Sequence, residues 1–177
     1  LLYLILGGET GWRAEASNSD GATVLALADE AVRAADATGD ATLRANARYA
    51  TGLVFTAYRS LDEAIVAFEE ALAIAREAGD KVDEFAILLR LGHQLDSVDL
   101  KRGRDTLEEA HELLKSGALD EQIDASRRAF EEARLDMSIG VAEFDLGHFG
   151  PALELLVRSS QPLRERGRGD DLAWSLA

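Results

Sequence analysis

Two stretches of the chain, DEAVRAADATGD at 29–40 and EEALAIAREAGD at 69–80, carry one pattern forty residues apart. Each begins with an acidic residue, Glu, Ala and an aliphatic residue, and each ends on Gly-Asp. Gly39 and Gly79, Glu30 and Glu70, Ala31 and Ala71, and Ala35 and Ala75 all keep the interval. A period of this length corresponds to two helices and two turns, a unit that buries its apolar face only by stacking on copies of itself.

Within the unit the small residues are spaced just as regularly. Gly52 precedes Ala64 by 12, Phe68 by 16 and Ala71 by 19, and the same steps from Gly140 reach Ala152, Leu156 and Ser159. A third copy starts at Gly92, and with two residues inserted it aligns Thr106, Ala110 and Leu113 with Ala64, Phe68 and Ala71. A degenerate first copy has Trp12 in place of the Gly, followed by Val24, Ala28 and Ala31, so the units advance by 40, 42 and 46 residues. Gly at the first of these positions lets two antiparallel helices approach, while Ala64 and Ala71 share one face of the second helix with Phe68 between them. Gly79 suits the left-handed residue that ends a helix, and Asp80 suits the cap that begins the next.

Composition agrees with an all-helical chain. Of 177 residues only 2 are Pro and 6% are aromatic, and Ala, Leu, Glu and Arg dominate. A formal charge of -14 sets the averaged field against phosphate backbones and anionic lipid, so direct nucleic-acid binding is not expected. There is no Cys, hence no disulfide, thiolate ligand or Cys nucleophile. The apolar run LLYLIL at 1–6 is far too short to span a membrane, and no membrane association is expected. Sixteen Arg against three Lys fit the codon bias of a GC-rich bacterial genome. The start without Met and the amphipathic ending DLAWSLA give the expectation of a fragment of a larger protein.

The pattern of a small residue in one helix, then Ala, an aromatic and Ala in the next, resembles the tetratricopeptide repeat. It is clearest in LVFTAYRSLDEAIVAFEEALAIAREAGD and SIGVAEFDLGHFGPALELL. Departures are Arg48, Leu88 and Asp136 where the family has an aromatic, and Arg76 and Arg164 where it has Pro. The longer unit looks like the repeats of large bacterial regulators: the maltose-regulator branch of the LuxR family, antibiotic regulatory proteins and related ATP-dependent signalling proteins. The resemblance implies an all-α fold, a right-handed solenoid of about four antiparallel hairpins. As one repeat domain over 1–177, its units lie near 1–39, 40–79, 80–118 and 119–168, with a further unit starting at 169–177. Helices are expected over 1–16, 21–37, 41–58, 61–77, 81–97, 103–116, 119–147, 149–166 and from 170 onward. With no Pro or Gly before Gly140, one helix of about 40 Å is the simplest reading of 119–147, with a break near Ser126 as the alternative.

In the family the first helices line a concave groove. Helical spacing about each small Gly then points Tyr49 and Leu53, Leu89 and His93, and Met137 and Val141 inward. Asn46, Arg90 and Arg134 share that face, with Thr56, Asp96 and Phe144 one turn further. The candidate ligand groove is therefore Asn46, Tyr49, Leu53, Arg90, His93, Arg134, Met137 and Val141, an apolar strip rimmed by Arg that suits a peptide bearing acidic groups. The competing reading makes Tyr49, Leu89 and Met137 core between hairpins. The face offers no Lys for the carboxylate clamp of chaperone-binding relatives.

No catalytic, cofactor or metal site is expected. His111, beside Glu108 and Glu112 on what reads as a solvated helix, is a poor ligand set, and His148 in LGHFG reads as a turn residue. GGETG at 7–11 lacks the Lys-Ser/Thr ending of a phosphate loop, and the RGD at 168–170 falls on the repeat's own Gly-Asp punctuation. The expected function is a non-enzymatic scaffold or sensor, cytoplasmic, that binds protein or peptide within a bacterial signalling or transcriptional regulator. The alternatives are a small-molecule sensor ringed by Tyr49, Arg90, His93 and Arg134, and a homo-oligomer assembling through the apolar ends at 1–6 and 171–177.

Overall fold

The computed structural model describes residues 21–165, with side chains as far as 162. The helices expected over 1–16 and from 170 onward, Trp12, GGETG, Arg164, the RGD tripeptide and both apolar ends lie outside the described residues. Among the described residues there are seven α-helices and no strand: α1 Gly21–Thr38, α2 Ala41–Tyr58, α3 Leu61–Ala78, α4 Lys81–Leu95, α5 Leu100–Lys115, α6 Ala125–Asp145 and α7 Phe149–Glu165. They fall into two compact units, Leu1–Ile87 and Leu88–Ala177, divided within α4.

In the first unit α1 packs on α2 and α2 on α3. The closest approach is at Gly52, where a Cβ would stand 2.6 Å from Cε1 of the Phe68 ring. Ala64, Phe68, Ala71 and Ala75, spaced 4, 3 and 4 apart, form one fully buried face of α3. Small residues on either side of Phe68 let the ring reach the backbone of α2 at Gly52, and the Tyr49 ring tilts against it at 5.6 Å.

The Gly-Asp pairs take the roles their spacing predicts. Gly79 has φ +72 and caps α3 at its C-terminus, while the N–H of Asp80 donates to the Ala75 carbonyl at 3.0 Å. The Asp80 carboxylate in turn accepts from Asp83 N–H at 3.1 Å, as Asp40 accepts from Leu43 N–H at 2.9 Å to start α2. A reciprocal capping box between Ser60 and Glu63 starts α3.

In the second unit α5 packs on α6 and α6 on α7. A Cβ on Gly92 would meet Leu107 Cγ at 2.6 Å, and one on Gly140 would meet Leu156 Cγ at 3.0 Å. Leu107 thus holds the place of Phe68, and the buried face of α5 is Gly103, Leu107, Ala110 and Leu114. The register that puts Thr106, Ala110 and Leu113 there is three residues too late. Gly103 is the reason: it replaces Ala64 at a contact where a Cβ would stand 3.1 Å from the Gly92 carbonyl oxygen, and the Asp99 cap starts α5 at Leu100 rather than 103.

With that register the extra residues lie wholly between α5 and α6. The single helix over 119–147 does not form. Gly117, with φ +82, opens consecutive turns closed by Asp120 N–H to Gly117 O and Ile123 N–H to Leu119 O. Leu119 is tucked into the core, Asp120 pairs with Arg128, and the Asp124 carboxylate accepts from Arg127 N–H at 2.7 Å, so the helix begins at Ala125. The 21 residues of α6 span about 31 Å.

Gly52→Ala should lower stability by about 1–2 kcal/mol in urea unfolding, because overpacking against a ring with no room to retreat outweighs the helix-propensity gain of about 1 kcal/mol. In a Phe68→Leu background the same change should cost at least about 1 kcal/mol less. Strict additivity of the two changes would show that the Gly52–Phe68 contact does not set the helix spacing.

Candidate functional site

The eight groove residues divide between the two units. In the first, α2 carries Asn46, Tyr49 and Leu53. Asn46 is half-buried and donates through Nδ2 to Asp83 at 3.1 Å. Burial, and then the neighbouring Asp80 charge, raise the Asp83 carboxyl above its ordinary range, and Asn46 partly offsets this. Tyr49 is half-buried against Phe68, while Leu53 is buried and belongs to the core rather than to an open wall.

In the second unit His93 lies on α4, and Arg134, Met137 and Val141 lie on α6. His93 Nε2 lies 2.9 Å from Ser138 Oγ, which ties α4 to α6 beside Met137. Met137 is half-buried against Phe130 and Ala133. Arg134 donates to Glu131 Oε2 at 3.2 Å and lies 5.8 Å above the Phe130 ring. One turn on, Val141 and Phe144 are 44% and 55% exposed, so the apolar strip emerges into solvent along α6. Arg90 is half-buried on α4. Leu89, also half-buried, lies next to it.

Sequence reasoning missed the ion pairs that hold the helices together. At the position where an aromatic is usual, Arg48 makes a bidentate pair with Asp36, its two guanidinium nitrogens 2.8 and 3.0 Å from the carboxylate oxygens. At the equivalent position in the second unit Asp136, 2% exposed, takes both arms of Arg158 from α7. Opposite charges at the same repeat position, each with a counter-charge on the adjoining helix, were the available signal. Glu143, also buried, joins Arg104 of α5 at 2.9 Å and His148 at 2.5 Å. The Arg104 and His148 contacts hold the Glu143 carboxyl below its ordinary range.

His111 does not sit on a solvated face. It is 6% exposed, with Nε2 3.7 Å from Asp136 and 3.8 Å from Glu132, because α6 packs directly over it. Burial first, then Lys115, lower its pKa. His148 sits at the turn between α6 and α7, where its N–H donates to the Glu143 carbonyl at 2.8 Å. Among the described residues no three His, Asp or Glu side chains are grouped to hold a metal ion, and no helix is long and apolar enough to cross a membrane.

Asp96, at the end of α4, stands over Gly103, where a Cβ would meet its Oδ1 at 2.4 Å. That oxygen is buried without a hydrogen-bond partner. Burial first, then the Asp145 charge, raise the carboxyl to about 6. Ionisation is disfavoured in the folded state, so stability falls as pH rises through the window between about 4 and 6. Asp96→Asn should therefore raise the melting temperature at pH 7.5, by about 1 kcal/mol in stability after allowance for partial solvation, and the gain should vanish by about pH 4. A gain of equal size at both pH values would mean the carboxylate charge is not its source.

No protein-family model matches the chain, and no curated protein matches it. Among solved structures, a protein of Podosopora anserina described as a kinesin light chain with nearly identical TPR-like repeats superposes with a TM-score of 0.58 at 16% identity, over 89% of this chain and 74% of that one. At that identity the likeness concerns architecture: the chain has the fold of TPR-like repeats, an all-α helical-repeat solenoid.

Proposed function

We propose that the chain is a non-catalytic, cytoplasmic protein- or peptide-binding module of a larger bacterial signalling or transcriptional regulator. A TPR-like fold supports protein interaction as the activity. The observation that carries the reading is the strip on α6: Val141 and Phe144 are exposed beyond Met137, with Arg134 and the His93–Ser138 pair at its edge. Aliphatic and aromatic side chains left open beside a guanidinium suit an amphipathic segment with an acidic flank. Binding would act by population shift, favouring whichever arrangement of the hairpins holds the ligand best.

The first test is selection from a random peptide library displayed on phage. Enriched peptides should combine apolar anchors with Asp or Glu, and Arg134→Glu and Val141→Asp should each weaken binding at least about tenfold, equivalent to 1.4 kcal/mol or more. Peptides that bind both variants as well as the parent would refute the assignment of this strip.

Self-assembly has its own support on α7. Phe149, Leu153 and Val157, four residues apart on one face, are each more than 60% exposed, and the Phe149 ring contacts Phe144 edge-on at 5.4 Å. A solvated stripe of this kind is usual at interfaces between copies or repeats. Leu153→Glu should convert any dimer seen by sedimentation velocity to monomer; a monomeric parent protein at about 100 μM, well above ordinary working levels, would remove this reading.

A further inference from the structure

The side of α2 away from Asn46 and Tyr49 opens into a cavity of about 640 Å³, walled by α1, α2 and α3. Arg48, Thr51 and Phe55 face it from α2, at a spacing that puts them on roughly the opposite side of the helix from Tyr49 and Leu53. The floor is apolar: Val32 of α1, Phe55 of α2, and Val66 and Ala67 of α3. Val66 is 53% exposed and projects into the opening, and the Phe55 ring is covered on one face by the Arg59 guanidinium at 4.7 Å.

The rim is charged and unbalanced. Four carboxylates, Asp29, Asp62, Glu63 and Glu70, stand against three guanidinium groups, Arg33 and Arg48 on the rim and Arg59 over the Phe55 ring. Arg48 is already committed, bidentate to Asp36 and 3.4 Å from Glu70, and Glu63 is held by Arg59 and by its capping bonds to Ser60. Asp29 and Asp62 have no basic partner within ion-pair distance among the described residues. The cavity therefore presents an apolar floor under surplus negative charge. Its walls run from residue 48 to 55 on α2 and from 62 to 70 on α3, about 10–12 Å, the length of two helical turns. Apolar anchors at i, i+3 or i+4, and i+7 of a bound helix recur over that same distance.

We propose that this cavity is a second docking site, separate from the α6 strip, for a two-turn amphipathic helix of a partner protein that seats apolar side chains over Val66 and Phe55 and sets flanking Lys or Arg against Asp29 and Asp62. The site takes a cationic partner segment, whereas the α6 strip suits an acidic one.

The test uses a fluorescein-labelled helical peptide with Leu at i, i+3 or i+4, and i+7 and Lys at the flanking positions, and a second peptide with Glu in place of every Lys. Fluorescence anisotropy on the whole chain should show the Lys peptide binding and the Glu peptide at least about tenfold weaker. Val66→Asp adds a negative charge while removing apolar contact, so docking predicts about tenfold weaker binding of the Lys peptide. Diffuse attraction to an acidic surface predicts unchanged or tighter binding instead, and that result would overturn the proposal. Val66 is largely exposed, so the variant should keep the parent's helical circular dichroism and melting temperature. Asp62→Asn, a milder change, should weaken binding about threefold. Val141→Asp should leave the Lys peptide's affinity unchanged; loss with Val141→Asp but not with Val66→Asp would place the peptide on α6 and refute this site. Equal binding of both peptides, or none of the Lys peptide, would also refute it.

Discussion

The spacing between helices is set by glycine backbone meeting a large apolar side chain at the same point of each hairpin: Gly52 against Phe68, Gly92 against Leu107, Gly140 against Leu156. Helices carrying ordinary side chains pack about 8–10 Å apart. Removing the Cβ at the crossing lets one helix take a ring or a branched chain directly on its backbone. Ala at the flanking positions, as in Ala64 and Ala71, then brings the rest of the interface into contact.

The periodicity identified these contacts because it records a steric requirement that tolerates few residue types. Gly at the crossing, Ala on either side of the large residue and Gly-Asp at the hairpin ends are each dictated by local geometry, so spacing alone recovered α1 to α3 to within a residue. Failure came where the geometry changed hands. In α5 the Ala64 role passes to Gly103, and an alignment that seeks Ala or a small polar residue slides one turn along to Thr106. The segment from Gly117 to Asp124 has strong helix formers, yet a left-handed glycine, an inward Leu119 and an Asp cap outweigh propensity.

The candidate site was less legible. Helical spacing puts Met137, Val141 and Arg134 on one face of α6, but spacing says nothing about which member of a face is covered. Leu53 is core and Val141 is open, although both lie one residue after a crossing glycine. Partners distant in sequence were out of reach: His93 to Ser138 and His111 under α6 depend on which helix lies above which. The α1–α3 cavity arises from the gaps between helices, and no string in the chain marks it.

Each hairpin is closed by bonds reaching only a few residues along the chain, such as Asp80 N–H to Ala75 and the Asp80 cap onto Asp83. The turn from Gly117 to Asp124 shows what that locality permits: a longer joint enters without disturbing the Gly92–Leu107 or Gly140–Leu156 contacts on either side of it. Length can therefore vary at the joints while the interfaces stay fixed. Such a joint is a natural entry point for inserted sequence, where a chain of this architecture can acquire a new surface loop while keeping its interior intact.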